Sequence, residues 1–112
     1  LAKKIDFIIL AGFLLKIPKK MVEFYPNKII NIHPSLLPKY KGLKTHERVI
    51  KNNEKYSGCT VHFVNSKLDA GKIIAQKKVK INKNDTPKTL AKKILLEEHK
   101  LYPRAILKIF NP

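Results

Sequence analysis

One short segment constrains the fold of this chain more than any other. The apolar run Ile29–Ile32 contains Asn31, and it is followed at once by His33 and Pro34. Such a run is typical of a buried strand, and Pro34 disfavours the helical region for His33, so the chain leaves the strand extended. Open α/β sheets place their ligands at the ends of such strands. The segment therefore predicts an α/β fold with a site at the end of this strand.

Asn31 and His33 are candidates for chemistry at that site. Residues two apart in a strand project to the same side, so the amide and the imidazole can converge on one bound group. The pair could then stabilise an oxyanion and supply a proton. Most Asn-x-His pairs are only a strand end with a hydrogen-bonded histidine, and the spacing alone favours this structural interpretation.

The rest of the chain alternates strand and helix patterns. Apolar runs predict further strands at Ile5–Leu10, Gly58–Val64 and Lys72–Ile81. Helices are predicted from Pro18 to about Tyr25, from about Thr45 to Asn52, and from Pro87 toward Phe110. This order predicts an α/β fold with an open, mostly parallel sheet flanked by helices, in a Rossmann-like arrangement.

The length of 112 residues corresponds to one domain at most. The sequence starts at Leu1 and enters a strand pattern within a few residues. We therefore expect residues 1–112 to be the carboxyl-terminal portion of a single domain whose amino-terminal half is missing.

The chain is strongly basic, with 24 Lys and Arg against 8 Asp and Glu, and a formal net charge of +16. Such a charge by itself suggests a polyanionic partner such as nucleic acid. The lysines, however, are scattered without a dense basic run, and the arginines are Arg48 and Arg104. A solvated lysine surface explains this pattern better, so we expect no nucleic acid partner, although an acidic, phosphorylated substrate would benefit from the field.

Cys59 and the apolar runs indicate the compartment. A single cysteine cannot form an internal disulfide, so a reducing compartment, the cytoplasm, is the default expectation. No apolar run is long enough to cross a membrane. Cys59 falls on the apolar face of its predicted strand, which favours packing over a nucleophilic role.

Three other polar residues deserve a prediction. Glu98 falls in the apolar stripe of the last helix, and a carboxylate on an inward face needs a partner, so Glu98 is a site candidate. His62 lies on the polar side of its alternating strand and is either solvated or a neighbour of the site, with the solvated interpretation slightly favoured. His46 leans toward the apolar side of its helix and is predicted to be a satisfied structural histidine.

The string from Asn31 to Pro38, Asn-Ile-His-Pro-Ser-Leu-Leu-Pro, resembles the signature of the folate-dependent formyltransferases. Among them it is most similar to the phosphoribosylglycinamide formyltransferases. The resemblance runs the full chain through further motifs at matching spacing: Ala11-Gly12-Phe13, Gly58, Thr60-Val-His62-Phe63, Asp69-Ala-Gly71, Asp85-Thr86 and Glu98-His99.

The resemblance implies a reaction and a set of site residues. The reaction is formyl transfer from 10-formyltetrahydrofolate to the primary amine of glycinamide ribonucleotide, in purine synthesis and without a metal. Asn31, His33 and Asp69 fall on the family's catalytic positions, and Glu98 falls on a position that helps to hold the amine substrate. The resemblance further places the folate at Leu14, Leu15, Lys16, Ile17, Asn31, Val64 and Asp69. Small-molecule substrates and a homodimer are the partners it suggests.

Two departures from the family pattern matter. The family usually has Met-Arg-Ile-Leu after Ala-Gly-Phe, whereas this chain has Leu14-Leu15-Lys16-Ile17, so backbone contacts must hold the cofactor ring. The glycine-rich turn that cradles the substrate phosphate belongs to the missing half. We therefore expect this stretch alone to be inactive.

Three alternative functions stay open at this point. Methionyl-tRNA formyltransferase shares the same string and would explain a basic surface, but we expect no second domain for tRNA, because the sequence ends soon after the long helix. Formyltetrahydrofolate hydrolase is a further relative, less similar in the Ser-Leu-Leu-Pro segment. A non-enzymatic basic module that binds nucleic acid is a remote alternative, because it leaves Glu98 and the catalytic string unexplained.

Overall fold

The computed structural model describes residues 8–9, 28–65 and 71–110. Its elements follow in this order: β1 (Ile8–Ile9), β2 (Ile29–His33), α1 (Thr45–Lys51), β3 (Tyr56–Phe63), β4 (Ile73–Lys80) and α2 (Pro87–Phe110). The strand Ile29–His33 and the helix Pro87–Phe110 have the predicted bounds. The predicted helix from Pro18 to Tyr25 lies outside the described residues.

The four strands form one sheet in the order β1-β2-β3-β4. β1 pairs with β2 in parallel, whereas the β2–β3 and β3–β4 pairings are antiparallel. The α/β fold class is confirmed. Within the described strands the parallel pairing is therefore confined to β1 and β2, and a short connection lets β3 and β4 pair as antiparallel neighbours.

The sheet has one apolar and one polar face. Ile30, Ile32, Cys59 and Val61 belong to the core cluster that also contains residues of α2, so they face this helix. Strand alternation then places Asn31 and His33 on the opposite face. Fully burying one aliphatic side chain contributes about 1.5–3 kcal/mol, so the contact with α2 holds the sheet and orients its polar face.

β3 is more deeply buried than its alternating pattern predicted. All residues from Ser57 to His62 are buried, on both faces of the strand. The solvated interpretation of His62 is therefore wrong, since only 2% of this residue is exposed. One reason is that residues 34–44, which connect β2 to α1 and are called the signature loop below, pack on the polar face next to Gly58.

β4 contains one irregularity in its pairing with β3. His62 lies opposite Ile73 and Val61 lies opposite Ala75, so Ile74 is an extra residue, a β-bulge. The bulge shifts the alternation by one residue. Ile73 is therefore 41% exposed, whereas Ile74 packs against the core.

α2 begins as its sequence predicted. The Thr86 hydroxyl accepts a hydrogen bond from the Thr89 backbone N–H at 3.2 Å, and the Thr86 N–H donates to the Thr89 hydroxyl at 2.9 Å, a reciprocal cap. Pro87 occupies the first helical position. The predicted inward stripe is confirmed: Leu90, Ile94 and Ala105 are buried, and Leu101 and Ile109 pack against them. None of the helices described is long and apolar enough to cross a membrane.

Candidate active site

β2 and β3 bring four polar side chains together on the polar face of the sheet. Asn31 lies opposite His62, and His33 lies opposite Thr60. Their exposed fractions are 3%, 2%, 1% and 0%, respectively. Burying polar groups costs free energy unless they are hydrogen-bonded. A cluster of four such side chains at the end of a buried strand is therefore the candidate active site.

His33 is held in a defined tautomer by the signature loop. Its Nε2 lies 2.8 Å from the backbone carbonyl oxygen of Tyr40. A carbonyl oxygen can only accept, so Nε2 carries a proton and donates it to this bond. In the neutral ring, Nδ1 is consequently the acceptor nitrogen.

Thr60 and Gln76 attach the signature loop to the sheet. The Thr60 hydroxyl donates to the Ser35 carbonyl at 2.7 Å and accepts from the Leu37 N–H at 3.1 Å. The Gln76 side-chain amide donates to the Leu37 carbonyl at 2.8 Å and to the Thr60 hydroxyl at 3.0 Å. These bonds set the position of the loop over His33. Sequence reasoning did not predict this role; the available signal was that Thr60 shares the polar face with His62.

His62 is a neighbour of the site, which was the second of the two predicted interpretations. It lies beside Asn31 across the strand pair, and its Nδ1 donates to the Phe63 carbonyl at 3.0 Å. Its imidazole therefore has a fixed orientation on the polar face.

His46 also lies near the site. Its pKa is lowered mainly by burial, and the charge of His33 lowers this pKa further. Its buried Nδ1 has no hydrogen-bond partner among the described residues. The prediction of a satisfied structural histidine is thus wrong for this nitrogen, which is buried without a hydrogen bond to any described residue.

Glu98 and Cys59 lie on the other side of the sheet. Burial raises the pKa of the half-buried Glu98, and the charge of His99 partly opposes this rise. Burial, followed by the charge of Glu98, raises the pKa of the Cys59 thiol to about 12. Cys59 therefore stays protonated and acts as a packing residue, as predicted. The sheet separates Glu98, on α2 near Cys59, from Asn31 and His33 on the polar face. The role of Glu98 in substrate binding stays a prediction.

Other predicted site residues are only partly described. Asp69 and the segment Leu14–Ile17 lie outside the described residues. Val64 is half-buried directly after β3, and its N–H donates to the Ile29 carbonyl at 2.8 Å. Within residues 8–9, 28–65 and 71–110, no group of three or more His, Cys, Asp or Glu side chains is placed to hold a metal ion.

Comparison with known proteins identifies the family. The family model described as "Formyl transferase" matches residues 1–106. The chain belongs to the formyl transferase family. Its curated relatives include the chloroplastic phosphoribosylglycinamide formyltransferase of Arabidopsis thaliana, 47% identical over 91% of this chain and 37% of the relative. The phosphoribosylglycinamide formyltransferase of Escherichia coli is 40% identical over 90% of this chain and 48% of the relative.

Solved formyl transferase structures share the fold. Phosphoribosylglycinamide formyltransferase from Bacillus halodurans superposes with a TM-score of 0.91 at 42% identity, covering 95% of this chain and 55% of that chain. A formyltetrahydrofolate deformylase from Pseudomonas syringae gives 0.73 at 32% identity, covering 78% of this chain and 29% of that chain. The chain thus spans about half the length, or less, of these relatives.

Proposed function

We propose that the protein carrying this chain transfers a formyl group from 10-formyltetrahydrofolate to the amine of glycinamide ribonucleotide. The observation that carries the proposal is the buried Asn31 and His33 pair at the end of β2. The names of the relatives support the acceptor, since those named above at 40% identity or more are phosphoribosylglycinamide formyltransferases.

Asn31 and His33 would stabilise the charge that develops in the reaction. The substrate amine attacks the formyl carbon, a new C–N bond forms, and the formyl oxygen becomes an oxyanion. The Asn31 amide N–H and a protonated His33 Nδ1 can donate to this oxyanion. Donors that are oriented before the reaction and shielded from water stabilise such charge strongly, and losing one donor costs about 10²–10³-fold in rate.

His33 would also supply a proton to the leaving group. Collapse of the tetrahedral intermediate breaks the bond between the formyl carbon and the folate nitrogen, which must gain a proton. The amine must lose one in the same cycle. We propose that His33 gives its Nδ1 proton to the folate nitrogen, and that Asp69 assists removal of the amine proton through water.

The remaining expectations belong to the same proposal. Leu14–Ile17, Val64, Asn31 and Asp69 would contact the folate, and Glu98 would help to hold the amine substrate. A cytoplasmic location and a homodimer are part of the proposal as well. Plant relatives are named chloroplastic, so the location depends on the organism that carries the chain.

The test is an acceptor assay with the protein that carries this chain. It is given 10-formyltetrahydrofolate with glycinamide ribonucleotide or with methionyl-tRNA, and tetrahydrofolate release is measured. We expect turnover with the ribonucleotide and a fall of at least about 10²-fold in His33→Ala. Lys51→Ala, an exposed change on α1, is the matched control and should keep full activity. Turnover with methionyl-tRNA alone would overturn the assigned acceptor.

A hydrolase is the second candidate, because the deformylase structure shares this fold at 32% identity. In a hydrolase, water replaces the amine and formate is released. Formate release that does not need an acceptor, at the same rate with and without the ribonucleotide, would favour this candidate over the transferase.

A further inference from the structure

The part of the signature loop that contacts His33 has an unusual backbone. Tyr40, Gly42 and Lys44 have φ angles of 57°, 83° and 55°, so every second residue is left-handed. Glycine adopts this conformation freely, whereas other residues lose about 1–2 kcal/mol each. Such a backbone persists only where the surroundings determine it. Neighbouring groups must therefore hold Tyr40 and Lys44 in place.

Three polar groups hold the Tyr40 side chain. Its hydroxyl donates to Glu54 Oε2 at 2.6 Å and accepts from the Asn52 amide at 3.0 Å. The Arg48 guanidinium carbon lies 5.4 Å from the centre of the ring, within the range of a cation–π contact. The bond to Glu54 and then burial raise the pKa of Tyr40, so the hydroxyl stays a donor.

Arg48 also holds the backbone on the far side of Tyr40. Its Nε donates to the Leu43 carbonyl at 3.0 Å, and its terminal nitrogen donates to the Lys41 carbonyl. These carbonyls belong to the residues between the left-handed positions. One guanidinium therefore contacts the ring of Tyr40 and both intervening peptide groups. A lysine could not do this, because it lacks the planar fork of donors.

We propose that Arg48 and Glu54 are positioning residues for His33, acting through Tyr40. They hold the Tyr40 carbonyl 2.8 Å from His33 Nε2, and this carbonyl keeps the proton of the neutral ring on Nε2. The expected effect on the reaction rate rests on the proposed function. The expected effect on the tautomer of His33 does not.

The tautomer of His33 and the reaction rate can be measured separately. When the Tyr40 carbonyl moves, neutral His33 divides between its two tautomers, and only the Nε2–H form presents Nδ1 as the basic nitrogen. The rate then falls with the population of that form and with the altered ring orientation. This bond joins two groups of the protein, His33 Nε2 and the Tyr40 carbonyl, so we expect KM to change little.

The experiment compares Arg48→Gln, Glu54→Gln and Tyr40→Phe with Lys51→Gln, an exposed control on the same helix. Nitrogen NMR of the His33 ring reports its tautomer in the neutral form, and steady-state kinetics give kcat and KM. We expect Arg48→Gln to lower kcat by about tenfold, with KM within about twofold, because small misplacements of a catalytic group are costly. The His33 ring signals should move toward a tautomer mixture in all three variants and stay unchanged in the control.

Several outcomes would overturn the inference or isolate it from the proposed function. Unchanged His33 signals in Arg48→Gln and Tyr40→Phe would overturn it, whatever happens to the rate. A fall in kcat with unchanged signals would also overturn it, since a structural defect alone gives that result. Arg48→Lys keeps the positive charge and serves as a second variant in case Arg48→Gln does not fold. Wild-type His33 signals in Arg48→Lys would contradict the requirement for a guanidinium that bonds both the Lys41 and the Leu43 carbonyls. If the unmodified protein formylates no ribonucleotide, the proposed function fails, yet a tautomer change in Arg48→Gln would still support the positioning.

Discussion

Gly58 determines how closely the signature loop packs on β3. A Cβ atom added here would overlap the Lys77 carbonyl oxygen and lie 2.6 Å from Leu36 Cδ2. The backbone oxygen cannot move away cheaply, so the strand pair or the loop must shift. We expect Gly58→Ala to reduce the free energy of unfolding by about 1–3 kcal/mol, as other overpacked sites do. Urea unfolding measures this, with Lys55→Ala, an exposed change three residues earlier, as the control.

Thr60 is the residue that links the loop to the sheet. Thr60→Val keeps the shape but removes the hydroxyl that serves Ser35, Leu37 and Gln76. Buried groups without a partner cost about 1–3 kcal/mol, so we expect a loss of stability in this range and a lower kcat. Thr60→Ser keeps the hydroxyl and should retain most of both. Equal stability of the valine and serine variants would contradict this role.

At the scale of the element, the start of α2 depends on Asp85. Its carboxylate accepts hydrogen bonds from the Lys93 ammonium group, the Asn82 backbone N–H and the Thr89 hydroxyl. These donors, of which Lys93 has the largest effect, lower the pKa of Asp85 to about 2, although burial opposes them. Lys93 also donates to the Lys80 carbonyl at 2.9 Å, so the same group ties α2 to β4.

The lowered pKa of Asp85 determines how the free energy of unfolding changes with pH. The contribution of Asp85 is fully present above its ordinary pKa near 4 and is lost as the pH falls through about 2. We expect Asp85→Asn to be less stable at pH 7 by about 1.5–3 kcal/mol, the range for hydrogen bonds to charged groups. The difference from the unmodified protein should shrink between pH 4 and pH 2. Urea unfolding at pH 7, 4 and 2.5 tests this, and Asn84→Ala is an exposed control; a difference that grows on acidification would refute the assignment.

At the scale of the whole molecule, charge opposes compactness. The net charge of +16 in 112 residues means that the positively charged side chains repel one another. Salt screens this repulsion, with a screening length of about 10 Å at 0.1 M. We expect the melting temperature of the chain to rise by a few degrees between 20 and 300 mM NaCl. Exchanging the exposed Lys51, Lys83, Lys88 and Lys92 for Glu should flatten this dependence. A melting temperature that falls with salt would show that attractive ion pairs dominate.

Local pattern determined a definite part of this structure. The bounds of β2 and α2, the Thr86 cap and the inward stripe of α2 were predictable, because each depends on residues at most a few turns apart. The shared face of Asn31 and His33 was predictable for the same reason, since strand alternation alone sets it. The family signature then indicated which chemistry these residues perform.

Tertiary structure alone decided the rest. The burial of Thr60 and His62, the bulge at Ile74 and the Arg48 contacts with the signature loop all depend on segments that meet only after folding. The Thr60 hydroxyl, for example, bonds to a carbonyl 25 residues earlier, and the Tyr102 hydroxyl bonds to one 72 residues earlier. Periodicity reports which face of an element is apolar, but not which loop covers its polar face. The environment of His33 was therefore set by chain segments whose contact no local pattern encodes.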